Sequence, residues 1–78
     1  MAVTSEDIRQ SLLANDVEFR NLAEEHSRCE TQLQQLIKQP YLNVEDLTLE
    51  VTLKKMKLRL KDRMEMIVAR HHNGAHRR

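Results

Sequence analysis

Tryptophan is missing from this 78-residue chain, and cysteine, proline, glycine, tyrosine and phenylalanine occur once each. Each scarcity removes a class of structure. The single cysteine, Cys29, can form no intrachain disulfide and cannot build a cysteine-based zinc site. A single glycine leaves almost nowhere for the positive-φ turns that tight β-hairpins need, and no Gly-rich phosphate loop can be assembled from it. No segment reaches the roughly 18 consecutive apolar residues of a membrane span. The first 15 residues carry Glu6 and Asp7 and no apolar core, so no secretory signal is expected there. A lone cysteine without such a signal fits a cytoplasmic location, where thiols stay reduced.

What remains is charged and helix-forming. Charged residues make up 32% of the chain and apolar residues 40%, and the abundance of Glu, Gln, Lys, Arg, Leu and Met favours long helices. The length allows one domain at most. A chain this short buries little apolar surface for the entropy it loses. With disulfides and a cysteine zinc site excluded, association with further copies is the expected support.

The periodicity predicts an all-α fold with helices over about residues 5–14, 16–38 and 44–71. They form one domain over 1–71, followed by a flexible basic tail over 72–78. Thr4 caps the first helix, with Asp7 in its first turn, and Ile8, Leu12 and Leu13 give it an apolar side. Asn15 followed by Glu18 reads as a capping box that restarts the chain as a second helix. That helix presents Phe19, Leu22, His26, Cys29, Leu33 and Leu36 at alternating steps of three and four, a heptad seam. Glu18, Glu24, Glu25, Ser27, Gln34 and Gln35 fall on its other side. Gln39-Pro40-Tyr41-Leu42 breaks the helix, and Asn43 caps the next, with Glu45 and Asp46 in its first turn. So short a connection makes the two long helices an antiparallel hairpin with coiled-coil-like packing.

The last helix carries two stripes. Leu49, Leu53, Met56, Leu60, Met64 and Ile67 continue the hairpin seam, while Val44, Leu47, Val51 and Leu58 lie on nearly the opposite side at about 100° per residue. The second stripe needs a neighbour outside the hairpin, either the short N-terminal segment or another subunit. A homo-oligomer that buries it as a helical bundle is the expected arrangement.

Charge is distributed unevenly. Residues 1–46 hold nine acids against Arg9, Arg20, Arg28 and Lys38, a balance of −5, and residues 47–78 hold a balance of +6. Lys54, Lys55, Lys57, Arg59, Lys61 and Arg63 supply most of the excess. Either an acidic helix lies against a basic one, the preferred reading, or the run is a surface for an anionic partner. No single face collects all six charges, and no aromatic side chain lies among them for base stacking.

Residues 53–67 read LKKMKLRLKDRMEMI, preceded by Phe19-Arg20-Asn21-Leu22, His26 and the Pro40-Tyr41-Leu42 break. In these features, over about residues 8–70, the chain resembles the YdcH-like family, small bacterial helical-hairpin proteins of uncharacterised function with an LKKxKLxLKD signature. Arg63 stands where that family more often has an acid. The resemblance implies a fold and a bacterial cellular context. It implies no activity.

Catalytic, cofactor and metal sites are not expected. A nucleophilic Cys29–His26 pair would need a pocket and exposure that a helical hairpin rarely offers. His26 reads instead as a packed histidine with one hydrogen-bond partner, facing the second helix where its contact would respond to pH. Cys29 reads as a small buried hydrophobe. His72 and His76 have the i, i+4 spacing of a shared ion, but Asn73-Gly74 should break the helix between them, and no carboxylate completes a set. The functional expectation is a non-enzymatic interaction or structural module that self-associates and has an unidentified protein partner. The alternative is a nucleic-acid-binding accessory using the basic second helix.

Overall fold

The computed structural model describes residues 4–76, with side chains through His72. The chain forms three helices, α1 (Ser5–Asn15), α2 (Val17–Ile37) and α3 (Val44–His76), and no strand among the described residues. Each helix starts where a short polar side chain can satisfy backbone N–H groups that have no partner within the helix. Thr4 and Asp7 form a reciprocal box at α1, with Asp7 N–H donating to Thr4 Oγ1 at 3.1 Å and Thr4 N–H donating to Asp7 Oδ2 at 3.3 Å. Asn43 and Asp46 repeat it at α3, at 2.7 and 3.2 Å.

The cap of α2 is one residue later than the sequence suggests. Asp16, the one non-helical residue between α1 and α2, is extended and accepts the Phe19 N–H on Oδ1 at 3.0 Å. Asn15 ends α1 instead, its amide donating to the Ser11 carbonyl at 3.0 Å. A carboxylate is the stronger acceptor at the positive end of a helix, so Asp16 displaces Asn15 from that role.

The largest helix interface joins α2 and α3, and α1 packs on both. Its core comprises Phe19, Leu22, Cys29, Leu33 and Leu36 of α2, Leu53, Leu60, Ile67 and Val68 of α3, and Ile8 and Leu12 of α1. Phe19 is the most enclosed side chain, 1% exposed, which is worth on the order of 1.5–3 kcal/mol of burial. On α2 the core follows the expected seam, with His26 partly buried.

On α3 the seam is narrower than expected. Leu53, Leu60 and Ile67 are buried, but Leu49 and Met56 are 47% and 44% exposed. A strict seven-residue step drifts about 20° per heptad on a helix of 3.6 residues per turn. The contact line through residues 53, 60 and 67 therefore turns away from Leu49 and Met56, each one turn before a core leucine. Met64 and Val68 lie on the opposite flank, where α1 covers Val68 and leaves Met64 partly buried.

The C-terminal boundary also differs. The α3 backbone runs through Asn73-Gly74 to His76, five residues beyond the expected stop. Glycine costs only about 1 kcal/mol in a helix interior, which the preceding turns carry. Of the basic tail expected over 72–78, the backbone to His76 is helical, and Arg77 and Arg78 lie outside the described residues. Among the described residues no helix is long and apolar enough to cross a membrane.

Candidate interaction surface

Two faces of α3 carry the features that could do work. The first looks toward α2, where acids and bases meet across the interface. Lys57 Nζ stands 3.1 Å from Glu30 Oε2, and Arg63 Nη2 stands 3.7 Å from Glu18 Oε2. Glu18, expected on the free side of α2, thus reaches over its edge. The hydrogen bond from Lys57, and then its charge, hold the Glu30 carboxyl below its ordinary value of 4.5; burial opposes this, and the nearby His26 adds a smaller lowering. His26 Nδ1 is 3.9 Å from Glu30 Oε1, too long for a hydrogen bond. Its Nε2 is buried with no hydrogen-bond partner among the described residues, so the single partner expected for this ring is not formed.

The second face looks away from the core. Val44, Leu47, Val51 and Leu58 are 78%, 48%, 51% and 60% exposed. This is the stripe the sequence places opposite the seam, and α1 does not cover it. A groove between α1 and α3 is lined by Ser5, Arg9, Glu65, Val68, Ala69 and His72, so α1 lies along the end of α3. The apolar stripe from Val44 to Leu58 stays open.

The basic run divides between these faces. Lys57 and Arg63 engage α2, and Lys54 turns back to Glu50 of its own helix at 3.2 Å. Lys55, Arg59 and Lys61 are exposed and belong to no ion pair among the described residues. No group of three or more His, Cys, Asp or Glu side chains among the described residues could hold a metal ion. The α3 helix is continuous between His72 and His76, contrary to the expected break, and the side chain of His76 lies outside the described residues. Cys29 is a buried free thiol.

A family model described as protein of unknown function (DUF465) matches residues 19–68. The chain belongs to this family. YdcH-like proteins are part of it, so the resemblance in the LKKMKLRLKD run and the flanking features is correct. The DUF465 match begins at Phe19 and ends at Val68, the outermost core residues of α2 and α3. Neither the curated proteins nor the solved structures contain a match to the chain.

Sequence reasoning missed two structural residues. Val68 follows Leu60 and Met64 at steps of four, a signal that was present but weaker than the heptad reading. Asp16 was hidden behind an equally plausible cap one position earlier.

Proposed function

We propose that this DUF465 protein is a non-enzymatic interaction module: α2 and α3 form an antiparallel hairpin, and the outer face of α3 holds it to other chains, first to copies of itself. One observation carries the reading. Four large apolar side chains at helical spacing, Val44, Leu47, Val51 and Leu58, are 48% to 78% exposed to solvent, although the chain is small and its core holds few residues. Contiguous exposed apolar surface of this kind marks an interaction site. Covering it would also supply the extra burial that a chain of this size needs. A cytoplasmic setting accords with the free thiol of Cys29.

Sedimentation equilibrium at tens of micromolar tests the proposal. A mass above one chain is expected, falling to one chain in Leu58→Glu while the helical signal is kept. A wild-type monomer with a cooperative melt contradicts it.

The second reading, a nucleic-acid-binding accessory, draws on Lys55, Arg59 and Lys61, which are exposed and unpaired within the chain among the described residues. Binding of labelled RNA or DNA at two salt concentrations separates the two, because phosphate contacts weaken steeply as salt rises.

A further inference from the structure

We propose that two copies pair through α3 as an antiparallel two-fold dimer, with Leu47 of each chain against Leu58 of the partner subunit and Glu50 against Lys57 of the partner subunit. The inference rests on the self-association proposed above and specifies its geometry. Its basis is the charge pattern of the exposed face.

Extending the stripe at steps of three and four gives Val44, Leu47, Val51, Lys54, Leu58 and Lys61. All six side chains are exposed. A parallel, in-register pair would set Lys54 on the partner's Lys54 and Lys61 on the partner's Lys61, like charge upon like charge at the contact. Reversing one helix removes both clashes, because each lysine then meets a valine and can lay its methylene stem along it with the ammonium in water.

The flanking charges select the same orientation. The first ten residues of α3 carry Glu45, Asp46 and Glu50 and no Lys or Arg, while the next ten carry six Lys/Arg and Asp62. An antiparallel pair lays the acidic segment of each copy beside the basic segment of the other, and it opposes the helix dipoles.

Register follows from the layers. With Leu47 against the partner's Leu58, Val51 falls on the partner's Lys54 and Val44 on the partner's Lys61, each contact occurring twice by symmetry. Glu50 and Lys57 occupy the same flanking position one heptad apart, and in this register they face each other across the pair, where Glu50 joins the Lys57–Glu30 pair of the partner subunit and keeps Lys54 of its own helix on its other side. Sliding by one heptad toward the N-termini brings Glu50 against the partner's Glu50. Sliding the other way brings Lys57 against the partner's Lys57 and Leu47 against the partner's Glu65. The chosen overlap uses residues 44–61, about 27 Å of helix, and stops before Glu65, where the groove against α1 begins.

The same geometry specifies the shape of the dimer. The core line and the outer stripe lie about 150° apart around α3 at 100° per residue. The four long helices of the dimer therefore stand nearly in a row, with the two α3 helices at the centre, and not at the corners of a square.

The test combines mass with a distance. Met66 is 63% exposed and lies outside the overlap, so Met66→Cys can carry a nitroxide while the buried Cys29 stays unlabelled. Sedimentation should show a dimer, and dipolar spectroscopy should show the two labels about 40 Å apart along the helices. Leu58→Glu should raise the dissociation constant at least tenfold with the helical signal unchanged, and Glu50→Lys should raise it in low salt more than in high salt. A label separation below about 20 Å would mean a parallel pair, and a dimer indifferent to Leu58→Glu would mean another surface. Either result overturns the inference and leaves self-association standing. A monomeric wild type overturns both.

Discussion

Lys57 of α3 reaches across to Glu30 of α2 with 3.1 Å between Nζ and Oε2, and this contact lowers the pKa of the Glu30 carboxyl and favours its ionised form. A carboxylate whose folded-state pKa is lowered stabilises the fold above its unfolded value, and that contribution disappears as pH falls through the lowered one. The contribution should therefore be complete above pH 4.5 and drain away below it. Melting temperatures from pH 7 to pH 3 check this. Glu30→Gln should melt lower than wild type at neutral pH, and the two curves should converge toward pH 3; parallel curves would mean that the ion pair does not support the fold.

The α2–α3 contact makes a sharper prediction at its core. Leu33 and Leu53 are buried at 8% and 4% exposure, so Leu33→Ala or Leu53→Ala should each cost roughly 2–4 kcal/mol, from lost transfer energy and the cavity left behind. Glu24, exposed on the far side of α2, should tolerate Ala within about 0.5 kcal/mol. Met56→Ala should cost clearly less than Leu53→Ala, because Met56 stands at the edge of the seam. Denaturant titrations of the four variants rank them.

Much of this was legible in the sequence, and the misses share a cause. The seam of α2 could be read because Phe19, Leu22, His26, Cys29, Leu33 and Leu36 keep a clean three–four step, and the neighbours of α2 meet that one face. The seam of α3 could be read only in part. Its residues meet α2 along a drifting line and α1 at one end, and a one-dimensional pattern states neither the drift nor the place of α1. That is why the sequence pattern places Leu49 and Met56 inside and leaves Val68 out. The outer stripe was visible for the opposite reason: Val44, Leu47, Val51 and Leu58 interrupt a face that charge alone would have covered. Gly74 reads as a stop in the sequence, but at the end of a 33-residue helix its local preference is outweighed.

The caps offer an independent check on residue assignments. Asp16→Ala removes the acceptor of the Phe19 N–H and should cost about 1 kcal/mol. Asn15→Ala should cost less, since its amide only returns to the Ser11 carbonyl within α1. Urea unfolding of the pair decides the assignment, and a larger effect at Asn15 would restore the cap read from the sequence.

The basic run can be tested by charge reversal at Lys55 and Arg59, which are exposed and in no ion pair among the described residues. Changing both to Glu should leave the stability of the single chain nearly unchanged, because exposed pairs are worth only about 0.2–1 kcal/mol even when formed. Retention of the wild type on a heparin column should be weak. Firm retention, reversible by salt and abolished by the double change, would transfer the protein to the nucleic-acid reading.

Sedimentation equilibrium of the wild type beside Leu58→Glu, at tens of micromolar and moderate salt, bears most directly on the exposed face of α3. A mass above one chain is expected for the wild type, and a single-chain mass with unchanged helical content for the variant. Equal single-chain masses for both proteins would contradict the proposed self-association, because the apolar stripe would then stand open to water without association.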